Sequence, residues 1–365
     1  MTQHNSIINF GAGPAALPPG VLAEASRAIL NYNNTGLSIL GIPHRGKLFD
    51  AILTESKQLV LELAKLDPSE YEVLWLQGGG RLQFTMIPMN FLEANATAGY
   101  IDSGFWANDA QQSAKAFGKV LTLASSKENQ YRSLPQLSSA ILEDLAYVHL
   151  TTNNTIFGTQ IKKIPSTPAA LFADMSSDIF SEERDYGKFD LFYAVAQKNI
   201  GAAGVTLVVL RKSLLEKTVR PLPPILSYKQ QAAGNSVLNT PPVFNIYVSL
   251  LTLRWIKAKG IQQIAKETNE KSALLYQELE RNTLFTTTVE TASRSKMNVV
   301  FRGQDENIEK DFLAYSIQHQ IEGIAGHRSV GGFRVSLYNA ITVPQTQYLI
   351  EVMQRFEQEK IKQST

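Results

Sequence analysis

The chain has 365 residues, with 44% hydrophobic and 19% charged side chains and a formal net charge of +2. That is enough polypeptide for about two domains with real cores, and too little charge imbalance for an electrostatic grip on nucleic acid or an acidic membrane. The absence of cysteine excludes disulfides, thiolate metal sites and a cysteine nucleophile, and no apolar run approaches the roughly 18 residues of a membrane span.

The first residues, Met1-Thr2-Gln3-His4-Asn5-Ser6, have neither the basic head nor the apolar core of a signal peptide, so the cytoplasm is the expected compartment. Asn33-Asn34-Thr35 and Asn153-Asn154-Thr155 match a glycosylation sequon and, without a secretory signal, are expected to be chance matches. Strands are predicted over 72–77, 97–102, 119–124, 145–150, 170–174, 191–196 and 205–210, with helices over 82–91 and 107–117 between the first of them. Near-continuous apolar strands separated by helices imply an α/β fold, a mostly parallel sheet of the seven-stranded type covered on both faces. Active sites of such sheets lie beyond the carboxyl ends of the strands. Gly78, Ser103, Asn153, Asp174 and Lys198 all fall at or just after predicted strand ends. Beyond residue 245 the pattern changes to long amphipathic helices over 244–259 and 261–282, strands over 297–301 and 332–337, and helices over 307–318 and 344–362. This suggests a smaller C-terminal α+β domain. The predicted organisation is an N-terminal segment 1–16, a large domain 17–258 and a small domain 259–365.

The stretch Tyr193-Ala194-Val195-Ala196-Gln197-Lys198-Asn199-Ile200-Gly201 is the most informative one. A lysine seldom ends an apolar strand, because its ammonium is strongly hydrated. A Schiff base with an aldehyde cofactor, pyridoxal phosphate, is one reason to place it there; a surface lysine in a tight turn is the plain alternative. Gly78-Gly79-Gly80-Arg81 opens a helix, where free N–H groups suit a phosphate. Asp174 is placed to hold a pyridine nitrogen protonated, or to cap a helix. Trp106 is placed to stack on a ring, or to fill a core. Of the five histidines, His44 and His327 precede Arg45 and Arg328, and Arg334 follows closely; arginine grips carboxylate and phosphate with two donors. Gly41-Ile42-Pro43-His44-Arg45-Gly46-Lys47 also matches a nucleotide phosphate loop. Leu48 replaces the Ser or Thr that such a loop needs for Mg²⁺, and Pro43 removes an N–H from the cradle.

Taken together, these residues resemble the phosphoserine aminotransferases, fold-type I, class V pyridoxal phosphate enzymes. The resemblance runs through Asn9-Phe10-Gly11-Ala12-Gly13-Pro14-Ala15, His44-Arg45-Gly46-Lys47, Gly78-Gly79-Gly80-Arg81-Leu82-Gln83-Phe84, Asn153-Asn154-Thr155-Ile156, Ala196-Gln197-Lys198-Asn199-Ile200-Gly201, Asn239-Thr240-Pro241-Pro242 and Gly326-His327-Arg328. It implies a cytoplasmic homodimer that moves an amino group between phosphoserine and 2-oxoglutarate, giving 3-phosphohydroxypyruvate and glutamate, in serine biosynthesis. It implies that Lys198 bears the cofactor, Asp174 pairs with its ring nitrogen, Trp106 stacks on the ring and Thr155 bonds the ring hydroxyl. Gly80, Arg81 and Gln197 would hold the cofactor phosphate, joined by Asn239 and Thr240 of the partner subunit. Arg334 would bind the substrate α-carboxylate. His327 and Arg328, with His44 and Arg45 from the other chain, would bind the substrate's phosphate or distal carboxylate. Pro43, Val195 and Ala202 depart from the family's usual Ser, Gly and Pro. The alternatives are a related transaminase, such as one acting on alanine and glyoxylate, and, more distantly, a non-catalytic binding protein.

Overall fold

A computed structural model describes residues 7–136 and 144–364; residues 1–6, read above for a signal, lie outside the described residues. The large sheet contains β1 (Tyr71–Leu76), β2 (Thr97–Asp102), β3 (Lys119–Ser125), β4 (Leu145–Thr151), β5 (Leu171–Asp174), β6 (Leu191–Val195) and β7 (Thr206–Arg211). Their spatial order is β1-β7-β6-β5-β4-β2-β3, and only β7 runs antiparallel to its neighbours. The short connection between β6 and β7 explains that reversal, since a parallel crossover needs a dozen residues or more.

Side chains alternate across the strands, so one sheet feeds two cores. Val73, Trp75, Phe192, Ala194, Leu207 and Val209 face one core. The helices α1 (Pro19–Leu30) and α2 (Lys47–Ala64), which the sequence analysis does not assign, contribute Val21, Phe49, Ile52 and Val60 to it. Leu74, Leu76, Leu191, Tyr193, Val208 and Leu210 face the other core. There they meet Phe84 and Ile87 of α3 (Gly79–Phe91), Ala110 and Ala114 of α4 (Phe105–Ala114), and Tyr228 of α5 (Tyr228–Ala233). Helix α6 (Val243–Lys259) is buried nearly all round, from Ile246 to Leu253. No buried strand leads into Gly41–Lys47: a 3-10 turn at Ile39–Gly41 precedes it and α2 begins at Lys47. The phosphate-loop reading has no structural support.

The small body is built from α7 (Ile261–Arg281), β8 (Phe285–Thr286), β9 (Asn298–Gly303), α8 (Glu306–Gln318), β10 (Phe333–Ser336) and α9 (Val343–Ser364), with the antiparallel order β10-β9-β8. Its core joins Leu275, Phe285, Phe301, Phe312, Phe333 and Phe356 to Ile8 and Phe10 from the N-terminal segment. Residues Ile8–Asn9 also pair in parallel with Ile321–Glu322. We propose the domain division between residues 258 and 259, at the end of α6, with Ile264 in the first turn of α7 still packed in the large core.

One buried lysine ties α7 to the segment that follows β10. Lys271 of α7 is 1% exposed. Its ammonium donates to the carbonyls of Leu337 (3.1 Å), Tyr338 (3.1 Å) and Ile341 (2.8 Å). Burial pushes this amine down to about 7, while three acceptors and no donor favour its charged form. Lys271→Met removes all three bonds, and among the described residues only the Tyr338 carbonyl keeps a backbone donor, the Ile341 N–H (2.9 Å), so we expect a loss of about 2–4 kcal/mol of stability. The check is the thermal unfolding midpoint; an unchanged midpoint removes Lys271 as a structural tie.

Candidate active site

A cleft of about 260 Å³ opens at the carboxyl edge of the large sheet, lined by the Gly78–Arg81 turn, Trp106, Thr155, Asp174, Gln197 and Lys198 among others. The sheet brings these residues together from strand ends far apart in sequence. Asp174 lies opposite Thr151 of β4 on one side and Tyr193 of β6 on the other. Lys198 follows β6 by three residues, and its stem lies beside Gly13. The Ala15 N–H donates to the Gln197 carbonyl (2.8 Å), so the N-terminal segment braces the lysine loop.

The Lys198 amine donates to Thr155 Oγ1 (3.1 Å). Burial pushes it down to about 8; Asp174 opposes that shift, and Arg334 adds to it. Burial likewise raises Asp174 above the ordinary carboxylate value, countered by Ser176 and by the Lys198 charge. The Ser176 N–H donates to Asp174 Oδ1 (2.9 Å), which fixes the carboxylate at the cleft floor. At the rim, Gly78 has φ +92° and caps α3, and a Cβ there would come within 2.4 Å of Leu82. Only glycine makes this turn, and it leaves the first N–H groups of α3, on Gly79, Gly80 and Arg81, without intrahelical partners. Arg81 turns its side chain outward, bonding Asp109 (2.9 Å) with its guanidinium 5.4 Å from the Trp106 ring centroid. Val195 packs where a Gly80 Cβ would be, 3.7 Å away, beneath the same turn.

Arg334 of β10, on the small body, does not line the cleft itself, but its charge acts on the Lys198 amine. It is half-buried, its Nε has no protein partner, and burial lowers its pKa from the usual arginine value. Its backbone N–H is pinned to the Ile324 carbonyl (2.8 Å). His327 stands at the tip of the same hairpin, 6.0 Å from the ring of Phe105, which in turn meets Trp106 edge-on at 5.0 Å. The Ser329 N–H (3.3 Å) and hydroxyl (2.7 Å) both reach His327 Nδ1, which leaves the ring proton on Nε2. Burial and the two arginines Arg334 and Arg328 lower the His327 pKa. Arg328 is exposed beside it.

Not every sequence-predicted residue joins this group within one chain. His44, Arg45, His327 and Arg328 do not line the cleft; Arg45 is exposed two residues before α2. Asn239 does have a task in its own subunit: its amide donates to Gln77 Oε1 (2.8 Å), and Gln77 donates back to the Thr240 carbonyl (3.2 Å). This holds Asn239 behind its own glycine turn, in a second cavity that Gln77 and Gly78 also line. The sequence reading gave no role to Ser176, Ser177 or Phe84, which also line the cleft. The signal for the two serines was the Asp174-Met175-Ser176-Ser177 run that closes β5. The Asn153 amide joins the two bodies through Asn298 Oδ1 (2.7 Å) and the Ser295 hydroxyl (2.5 Å).

These residues fit pyridoxal phosphate. Free N–H groups stand at a helix start, a buried carboxylate and a ring wall flank an amine of lowered pKa, and Thr151 Oγ1 in the lining has no protein partner.

Comparison with known proteins agrees. Residues 7–349 match the family model "Aminotransferase class-V". A phosphoserine aminotransferase of Flavobacterium johnsoniae is 48% identical over 350 residues, covering 96% of this chain and 98% of that one. The solved phosphoserine aminotransferase of Bacillus circulans subsp. alkalophilus superposes with a TM-score of 0.94 at 39% identity, covering 97% of this chain and 99% of that one. An alanine–glyoxylate aminotransferase from Nostoc has a TM-score of 0.76 at 17% identity, over 97% of this chain and 96% of that one, and so shares the fold alone. The chain belongs to the class-V aminotransferase family and, with these relatives, is a pyridoxal phosphate-dependent transaminase.

Proposed function

We propose that this transaminase moves the amino group reversibly between O-phospho-L-serine and 2-oxoglutarate, giving 3-phosphohydroxypyruvate and L-glutamate, in cytoplasmic L-serine biosynthesis. The observation that carries this reading is the division of cations and donors along one hairpin. Arg334 is half-buried and close enough to depress the Lys198 amine, while His327 and Arg328 stand at the tip. Two anionic groups at opposite ends of one small amino acid match that spacing of charge. A phosphate dianion costs too much to desolvate without cations and donors around it. The same tip accepts the single negative charge of the glutamate side chain. Amino transfer from alanine to glyoxylate would leave His327 and Arg328 without an anion.

Pyridoxal phosphate, when bound, supplies an electron sink for charge that develops at the substrate Cα. Gly80, Arg81 and Gln197 would hold its phosphate, Trp106 its ring face, Thr155 its hydroxyl and Asp174 its ring nitrogen. Lys198 would bear the cofactor, and its free Nζ is placed to take the proton from the substrate Cα and later to return one. An amine held near 8 is well matched to both tasks at neutral pH. Arg334 fixes the α-carboxylate and so orients the Cα–H bond toward that amine.

We further propose a homodimer with shared sites. Leu30, Leu37 and Leu40 are 82%, 46% and 65% exposed, an apolar edge just before His44 and Arg45 that a second copy would cover. In an isologous pair whose axis passes near the glycine turns, Asn239 and Thr240 of one chain reach the other's cofactor phosphate.

Purified protein should absorb in the visible, and borohydride should fix the cofactor on a Lys198 peptide; Lys198→Ala should lower transamination at least about 10³-fold. Labelling of another lysine overturns the assignment. Arg328→Ala and Arg45→Ala should lower kcat/KM for phosphoserine about ten- to a hundred-fold, and more than for glutamate, whereas Arg334→Ala should damage both alike. Wild-type use of alanine as efficiently as phosphoserine refutes the substrate. Mixing Lys198→Ala and Arg45→Ala chains should restore activity, because one hybrid site receives both intact residues; no recovery after verified subunit exchange refutes the shared site.

A further inference from the structure

Behind the hairpin that bears His327, Arg328 and Arg334 lies Arg302, near the end of β9. Its Nε donates to Glu309 Oε1 at 2.8 Å, in the first turn of α8, and the Gly303 N–H donates to the same oxygen at 3.2 Å. Its Nη1 donates to the Val330 carbonyl at 2.5 Å. Gly331 and Gly332 adopt φ of +73° and +65° and lie flat on this side chain. A Cβ on Gly332 would stand 2.4 Å from Arg302 Cδ, and one on Gly331 would stand 3.3 Å from Nη1.

The tip is closed on itself, so its parts move together. The Val330 and Gly331 N–H groups both donate to the His327 carbonyl (2.8 and 2.9 Å), and Gly326 donates to the Gly332 carbonyl (2.8 Å). A displacement of Val330 is therefore a displacement of His327. A cavity of about 490 Å³, lined by Tyr131, Arg132, Phe157, Arg302, Ser329 and Val330, backs the loop. Packing alone leaves room for the tip to retreat there, and the guanidinium is the strut across it. Only a fork does this work, with one arm anchored on Glu309 and the other on a backbone carbonyl; a lysine has one nitrogen for both.

We propose that Arg302 is a positioning residue that holds His327 and Arg328 where the substrate's distal anion arrives, and so sets the preference for a doubly anionic amino acid. This rests on the reading that those two residues bind that anion. A merely structural arginine would affect all substrates equally when replaced; a strut for the anion loop would not.

The test is the amino-donor half-reaction of the holoenzyme, followed by the cofactor's absorbance, with O-phospho-L-serine and with L-alanine, which has no distal anion. Arg302→Met should raise KM for phosphoserine about ten-fold with kcat within about two-fold, and should change kcat/KM for alanine less than about two-fold. Arg302→Lys, which keeps the charge and the stem, should show the same selective rise, and it decides the matter if Arg302→Met folds poorly. Glu309→Gln should act in the same direction and less. An unchanged phosphoserine KM, or equal losses for both donors, overturns the proposal. In both of those cases a wild type that still prefers phosphoserine keeps the functional reading intact. A wild type without that preference refutes the functional reading, and this proposal with it.

Discussion

Keeping a lysine amine buried yet reactive is the constraint on which the rest of the structure depends. An ammonium taken out of water costs several kcal/mol unless partners replace its hydration. The large sheet supplies those partners by register. β4 delivers Thr155 just past its end, β5 delivers Asp174 at its last position, and β6 delivers Lys198 between them and the turn into β7. The order of three adjacent parallel strands therefore doubles as the order of the chemistry. The carboxylate opposes the loss of charge, burial and Arg334 promote it, and the amine settles near 8.

The two bodies are joined at the cleft by neutral amides. Asn153 meets Asn298 and Ser295, Asn199 accepts from the Asn339 N–H (3.1 Å), and the Tyr338 hydroxyl donates to the Ala12 carbonyl (3.0 Å). Buried hydrogen bonds of this kind add modest net stability but fix geometry sharply, because any other arrangement strands a donor. Arg334 inherits that geometry: its strand β10 pairs with β9, and Asn298 on β9 also donates to the Ser336 hydroxyl (3.0 Å).

The main-sheet strands were legible because strands covered on both faces read as unbroken apolar runs, and each of the seven lies within about one residue of its expected place. Helices were less sharply bounded: α4 begins at Phe105 rather than Ala107 and ends at Ala114, since no strong cap marks either end. The lysine, the aspartate and the glycine turn were legible because each breaks a local rule. An isolated asparagine such as Asn153 breaks none, and its partner Asn298 lies 145 residues away. Arg302 was silent for a different reason: what it holds at Val330 is a carbonyl, which every residue carries. The role proposed for His44 and Arg45 rests on resemblance alone, because a single chain does not bring them to the cleft.

The two ends of the proposed substrate are met by different kinds of structure. Arg334 sits on a paired strand whose register sets its position, whereas His327 and Arg328 ride on a short glycine-closed tip propped from behind. A strand residue cannot shift without rearranging the small sheet, whereas a short tip can be exchanged together with its glycines and its prop while the sheet stays as it is. Diversification among enzymes built this way is thus partitioned: the demand common to every α-amino acid is written into the scaffold, and the feature that distinguishes one amino acid from another is written into a replaceable loop.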